Sequence, residues 1–203
     1  MTGTTEKRAT KPLRKVAKAT SSRKPIDFVG EATSSAYAVV QTRLRTKPAT
    51  IKYLAAKGVD TYVRAVSTAT PMEIVEIERQ GVQGSFIKAL SKRMSVPTTR
   101  IFAILGVPKA TAEKKAASGE FVSGAGGQAA IGMIKLLGMA QDIVSNSTAD
   151  EAHNFDAAKW LGQWIELPQP ALGGRKPAEL IDTPTGIEMV ARLLGAIQSG
   201  AYQ

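Results

Sequence analysis

The chain's single histidine, His153, lies among acidic residues and is the first candidate for chemistry in the sequence. Asp150, Glu151 and Asp156 surround it, and a histidine beside carboxylates can act as a general base or bind a metal ion. One histidine cannot form a histidine cluster, and the absence of cysteine excludes thiolate ligands and a cysteine nucleophile. We therefore interpret His153 as a histidine of a surface loop.

A glycine-rich stretch, Gly124-Ala-Gly-Gly127, is the second candidate, because such loops cradle phosphate at the start of a helix. It has no preceding strand pattern and no Gly-Lys-Ser/Thr ending, so we interpret it as a flexible helix start. Clustered carboxylates at helical spacing are also missing. The sequence therefore predicts neither an enzyme nor a cofactor, a metal or a small-molecule substrate.

The net charge of +10 is divided between two basic zones and one acidic zone. Residues 1–25 carry a net charge of +7, residues 85–115 carry +6, and residues 141–203 carry −4. Basic zones favour nucleic acid through the release of counterions, whereas an acidic zone repels phosphate. The pattern predicts a nucleic-acid partner for the earlier part of the chain and a different partner for the last part.

The sequence shows no segment that would place the chain in a membrane or direct it to secretion. No run reaches the roughly 18 apolar residues of a transmembrane helix, and the basic N-terminus lacks the apolar core of a signal peptide. The absence of cysteine fits a reducing compartment. We expect a cytoplasmic protein without a membrane partner.

Two segments precede the main helical pattern. Residues 1–25 contain almost no large apolar residue and are predicted to be a disordered basic arm. The arm either contacts DNA or RNA or only keeps the chain soluble, and its composition does not decide between these roles. Residues 26–70 are predicted to be a helical extension without an assigned function, with helices capped by Ser34 and Thr50 and a helix end at Gly58.

Residues 71–145 are predicted to form five helices. They begin at Pro71, near Ser85, at Pro97, at Lys109 and near Ser123. The third and fourth, Pro97–Leu105 and Lys109–Ser118, are joined by the short turn Gly106-Val107-Pro108, in which Val107 is expected to point into the core. Helix, tight glycine-bearing turn and helix is the helix-turn-helix arrangement of DNA-binding proteins.

The second helix of this pair would present its N-terminal residues to DNA. The candidate DNA contacts are Lys109, Thr111, Lys114, Lys115 and Arg100. Lysines contact phosphate more readily than they read base edges, so the pattern favours binding to the DNA backbone. The alternative is a helical bundle that keeps this shape as a scaffold for dimerisation.

Residues 150–203 are predicted to form a second helical unit around an elbow rich in proline and glycine, Leu167–Asp182. Asp156 is the expected cap of the preceding helix, which carries Trp160 in the core and Trp164 towards an interface. Pro168 and Pro170 end that helix, Gly173-Gly174 allows a sharp bend, and Pro177 starts a short helix. Thr183 or Thr185 is the expected cap of the last helix, and Gly200 ends it.

Two stretches carry a family resemblance. Trp160…Pro168-Gln-Pro-Ala-Leu-Gly-Gly-Arg-Lys-Pro-Ala-Glu-Leu180, with Thr183…Gly186…Val190…Gly200-Ala-Tyr202 after it, is similar to the toxin-binding domain of the Xre/MbcA/ParS antitoxins. Met94-Ser-Val-Pro97…Leu105-Gly-Val-Pro108 resembles the Xre-like helix-turn-helix region of the same family. The resemblance implies an all-α protein in which a helix-turn-helix bundle (71–145) is followed by a small helical toxin-binding domain (150–203).

The resemblance also implies a function. Members of this family inhibit a RES-type toxin, an enzyme that consumes NAD or transfers ADP-ribose from it, by occluding its active site. The expected toxin contacts, with Tyr202 entering the toxin's cleft, are Trp164, Leu172, Gly173, Gly174, Arg175, Arg192, Gly200 and Tyr202. A homodimer that binds operator DNA and represses its own operon is implied as well. The alternative is a stand-alone helix-turn-helix transcriptional regulator.

Overall fold

The computed structural model describes residues 51–148 and 150–198. The predicted basic arm at residues 1–25, the caps Ser34 and Thr50, and the residues Gly200 and Tyr202 lie outside the described residues. None of the described helices is long and apolar enough to cross a membrane.

Helices joined by short turns make up the described residues, which confirms the predicted all-α class. They are α1 (Gly58–Ser67), α2 (Pro71–Gln80), α3 (Gly84–Arg93), α4 (Thr98–Ile104), α5 (Lys109–Ser118), α6 (Gly124–Ser145), α7 (Ala157–Trp164) and α8 (Pro184–Gln198). Single turns of 3-10 helix lie at Ala55–Lys57, Asp150–Asn154, Pro170–Leu172 and Pro177–Glu179. Val82–Gln83 (β1) and Phe121–Val122 (β2) pair antiparallel in a small ribbon that the sequence did not predict.

Most predicted helix ends are confirmed, but the helix predicted before Gly58 is present in its described residues only as the single 3-10 turn Ala55–Lys57. Helix α2 begins at Pro71 and ends before Gly81, and α5 ends before Gly119, which adopts a left-handed conformation with φ of +71°. Gly58 ends that turn, as expected, and α1 begins at the same residue. With φ of +78°, Gly58 closes the preceding turn Ala55–Lys57 by donating its N–H to Ala55, and the helix starts directly after that turn.

Helix α6 is the centre of the fold. It is buried on nearly all sides, as expected for an apolar helix without a polar face, and it packs against α1, α2, α7 and α8. Small residues let the neighbouring helices come close. A Cβ at Gly138 would overlap the hydroxyl of Ser67 in α1, and a Cβ at Gly132 would overlap Ile187 in α8.

The helices of residues 71–145 and of residues 150–198 share one hydrophobic core. The fully buried residues include Phe86, Phe102 and Ile134 from the first set and Leu161 and Leu194 from the second. The predicted segment boundaries at residues 25, 70 and 145–150 stay predictions. Because the described residues belong to one compact unit, the elbow and the helix-turn-helix helices are held together in the same packed body.

Candidate functional site

The elbow, Leu167–Asp182, has a shape fixed by backbone hydrogen bonds, and its first half, Leu167–Arg175, is mostly exposed. Gln169 N–H donates to the carbonyl of Arg175 and Gly174 N–H donates to the carbonyl of Gln169, both at 3.0 Å. Gly173 and Gly174 have φ of +66° and +78°, so the bend requires residues that tolerate a left-handed backbone. At its far end, Ala178 N–H donates to the carbonyl of Ile165 at 2.9 Å.

The elbow presents apolar groups to solvent. Leu167 is 55% exposed, Leu172 is half-buried, and Pro168, Pro170 and Ala171 are exposed. Arg175 is exposed beside the two glycines. An apolar surface of fixed shape with a charged edge is typical of a protein interface.

The two tryptophans of α7 have the opposite exposure from that expected. Trp164 is buried, with 7% of its surface exposed, and Trp160 is half-buried. Their rings stack with centroids 5.7 Å apart and an interplanar angle of 19°. The ring centroids of Trp160 and Phe155 lie 6.0 Å apart. Trp164 therefore packs against Trp160 from the core side. Of these three aromatic rings, Trp160 and Phe155 are the ones that solvent reaches.

An apolar groove lies beside these aromatic rings, and the sequence analysis did not identify it. It has a volume of about 290 Å³ and is lined by Ala140, Ile143 and Val144 of α6, Phe155 and Trp160, and Ile197 of α8. Its lining residues come from three separate stretches of the chain. Because their common position depends on how α6, α7 and α8 pack, no local pattern in the sequence indicates it.

The last helix, α8, starts where the sequence predicted. The Thr183 hydroxyl accepts a hydrogen bond from Gly186 N–H at 3.1 Å, and a Cβ at Gly186 would overlap the carbonyl oxygen of Leu180. This close approach fixes the helix against the end of the elbow. On the exposed side, Arg192 lies 3.6 Å from Glu188, and Met189 is 41% exposed.

The helix-turn-helix geometry predicted for residues 97–118 is present in α4 and α5. Val107 in the turn is 7% exposed, and its N–H donates to the carbonyl of Phe102 at 2.9 Å. Gly106, with φ of +63°, allows the tight turn. Helix α3 approaches α5 so closely at Gly84 that a Cβ there would overlap the backbone of Ala116.

The predicted DNA contacts divide into exposed residues and residues already bonded within the protein. Thr111 and Lys114 are exposed, and the Lys109 side chain is 64% exposed with only a long 3.9 Å contact to Glu113. Lys115, by contrast, is half-buried and donates from Nζ to the carbonyl of Phe121 at 2.7 Å. Lys115 thus joins α5 to the β ribbon.

Arg100 is bonded to Glu166, the residue directly before the elbow. Its Nε and Nη2 donate to the two carboxylate oxygens of Glu166 at 2.5 Å and 3.0 Å. Lys176 in the elbow lies 3.7 Å from the same carboxylate. The hydrogen bonds from Arg100 are the main reason that the pKa of Glu166 is lowered, against an opposing effect of burial. Sequence reasoning missed Glu166, because its partner lies 66 positions away.

A second ion-pair cluster fixes the start of α7. Arg93 of α3 donates to Asp156 at 2.6 Å and to Asp60 of α1 at 2.9 Å, and Gln141 of α6 also donates to Asp60 at 2.7 Å. Asp156 accepts from the backbone N–H groups of Ala158 and Lys159, which confirms it as the helix cap. Partial burial opposes ionisation, but the bonds from Arg93 and the backbone leave the pKa of Asp156 lowered.

The candidates for catalysis remain isolated. His153 is exposed within the turn Asp150–Asn154, and the described residues contain no group of three or more histidine or carboxylate side chains able to hold a metal ion. Gly124 starts α6 after the β ribbon, where φ of +65° requires glycine. Gly124 thus has a structural role at the start of α6.

Residues 152–200 match the family model described as the antitoxin Xre/MbcA/ParS C-terminal toxin-binding domain. The match covers α7, the elbow and α8, so the class of protein that fold and site define is a toxin-binding antitoxin. The chain is also 36% identical over 139 residues to the Prs ADP-ribosylating antitoxin of Sphingobium sp. (strain YBL2), across 68% of this chain and 86% of that relative. The chain therefore belongs to the Xre/MbcA/ParS-type antitoxins, as its resemblance predicted.

Proposed function

We propose that this antitoxin binds a RES-type toxin, an enzyme that consumes NAD or transfers ADP-ribose from it, and occludes the toxin's active site. The similar Sphingobium protein is described as a Prs ADP-ribosylating antitoxin, which supports an ADP-ribosylating toxin as the partner here. Inhibition by occlusion requires no chemistry from the antitoxin. It requires a surface of fixed shape that excludes the substrate.

The observation that carries this proposal is the exposed, hydrogen-bonded elbow inside the toxin-binding domain. Its apolar residues, with Leu167 55% exposed and Leu172 half-buried, can be buried only by a partner or by a segment outside the described residues. Since the loop is already held in one conformation, docking would cost little ordering entropy. Leu172, Gly173, Gly174 and Arg175 are the proposed contacts on this surface.

Helix α8 supplies the remaining proposed contacts. Arg192 is 77% exposed at its side chain and weakly paired with Glu188, so it can pair with a toxin carboxylate. Trp164 is proposed to act indirectly by holding Trp160, since Trp164 is itself buried. Gly200 and Tyr202 are proposed to reach the toxin's cleft, and Tyr202 to occupy it.

A second proposed activity is binding of operator DNA by a homodimer, which would repress the antitoxin's own operon. The α4–turn–α5 geometry supports it, together with the exposed Lys109, Thr111 and Lys114. Residues 85–115, which include α4 and most of α5, carry a net charge of +6. Toxin and operon DNA would both be met in the cytoplasm, the proposed place of action.

Co-expression with a RES-type toxin encoded beside this gene tests the first proposal. We expect the toxin to arrest growth alone, and to co-purify with the antitoxin without growth arrest when both are made. Tyr202→Ala should reduce this protection while Tyr202→Phe retains it. A chain that never binds the toxin but still shifts its own promoter DNA would instead support the stand-alone regulator.

A further inference from the structure

The groove beside Trp160 is an apolar cleft on the surface of the protein. Ile143 and Val144 of α6, Phe155 and Trp160, and Ile197 of α8 line it. Phe155 is 45% exposed, and Trp160 is only partly covered by Trp164. Large aromatic side chains left open to water in a concave site are typical of binding pockets, because filling the site removes their apolar surface from water.

Packing and hydrogen bonds hold part of the groove's lining in place. The ring of Trp160 stacks on the buried Trp164, and Ala140 in the groove's lining is 1% exposed. The start of α7 is fixed by Asp156, which caps the helix and binds Arg93. A preformed site loses little conformational entropy on binding, so contacts made there contribute strongly to affinity.

We infer that this groove receives an apolar side chain of the toxin, aromatic or branched aliphatic, from a toxin surface whose surrounding residues are basic. Its volume of about 290 Å³ suits one or two such side chains. The inference rests on the proposed binding of a toxin. It adds a second contact region, separate from the elbow, that includes residues of α6 outside the matched domain.

The position and charge of the groove favour the toxin over a second copy of this chain. Phe155, Trp160 and Ile197 fall within residues 152–200, the range that matches the toxin-binding domain. Residues 141–203 carry a net charge of −4, so two copies facing each other here would repel. A basic toxin surface would instead be attracted, and the groove would bind its apolar anchor.

The test is a toxin titration with purified full-length variants, made by calorimetry, with melting curves and molar mass recorded for each variant. Phe155→Asp places a charge at the groove, whereas Phe155→Leu keeps it apolar. Met72→Asp is the matched control, since Met72 is 62% exposed on α2, outside the matched domain. We expect Phe155→Asp to weaken toxin binding at least about tenfold, and Phe155→Leu and Met72→Asp to bind within about twofold of the wild-type chain.

Wild-type affinity in a folded Phe155→Asp variant would overturn the groove inference and leave the proposed antitoxin activity intact. Loss of self-association with unchanged toxin binding would overturn it in favour of a second copy as the occupant. If the wild-type chain itself fails to bind the toxin, the proposed function and the groove inference both fail. Should Phe155→Asp not fold, Ala152→Asp at the same groove replaces it, with the same expected loss.

Discussion

The guanidinium of Arg100 forms two hydrogen bonds to the carboxylate of Glu166, at 2.5 Å and 3.0 Å. Arg100 lies on α4, the first helix of the helix-turn-helix pair, and Glu166 lies where α7 gives way to the elbow. Lys176 of the elbow approaches the same carboxylate. One carboxylate thus joins the proposed DNA-binding helices to the proposed toxin-binding surface. The same carboxylate binds Arg100, which the sequence analysis predicted to contact DNA.

Glu166→Gln should therefore strengthen DNA binding. Removing the negative charge frees Arg100 for a phosphate, so the slope of log K against log salt should steepen by about 0.9 for one added contact. The measurement is fluorescence anisotropy of promoter DNA at several salt concentrations. Glu76→Gln, which removes a carboxylate paired with Arg79 on α2, controls for the general change in charge. Equal slopes in the two variants would show that Arg100 does not reach DNA.

The same ion pair predicts a pH-dependent stability. Hydrogen bonds from Arg100 lower the pKa of Glu166 below that of a glutamate in the unfolded chain, which is about 4.3. The pair therefore stabilises the fold above that value, and this stabilisation is lost as the pH falls through the lowered pKa. In urea unfolding at neutral pH, the free energy of unfolding of the wild-type chain should exceed that of the Glu166→Gln variant by under about 1 kcal/mol. The difference should shrink as the pH falls below about 4.3, and a difference that stays constant on acidification would contradict the account.

Among the lysines of α5, Lys109 and Lys114 should contact DNA and Lys115 should not. Changing Lys109 and Lys114 together to alanine should flatten the salt slope by about 1.8, or 0.9 for each lost phosphate contact. Lys115→Ala should leave the slope unchanged, because Nζ is engaged with the Phe121 carbonyl, although some stability is lost. A flattened slope for Lys115→Ala alone would reverse the assignment.

Replacing Gly162, which lies where α7 meets the end of α3, should destabilise the fold. A Cβ at Gly162 would overlap the carbonyl oxygen of Met94, which is backbone and cannot move aside cheaply. Gly162→Ala should lower the free energy of unfolding by about 1–3 kcal/mol. Gly195→Ala is the control, since a Cβ there meets nothing within 4 Å. In a helix that change should stabilise by about 0.5–1 kcal/mol, and equal unfolding midpoints would contradict the packing described.

Much of the fold could be predicted from the sequence, because proline and glycine mark the helix ends. Pro71, Gly81 and Gly119 were placed correctly, and Asp156 was recognised as a cap. The helix expected before Gly58 is only one 3-10 turn, and the sequence did not show that the same glycine also starts α1. The two-residue strands of the β ribbon are too short to show an alternating pattern.

The site was less predictable, because it depends on contacts between distant segments. Trp160 and Trp164 lie on one helical face, so their spacing cannot show which of them is buried. Their depth depends on α6, which packs against α7. The pairing of Arg100 with Glu166 likewise joins residues 66 positions apart. The elbow was found because its own prolines and glycines dictate its shape.

The most direct measurement of the central claim is NAD consumption by the purified RES-type toxin, titrated with this antitoxin. We predict that consumption falls linearly and stops at a fixed molar ratio, because each bound antitoxin blocks one active site. Persistent NAD consumption by toxin fully bound to the antitoxin would contradict occlusion of the active site. Full consumption with no complex formed would contradict the toxin as partner.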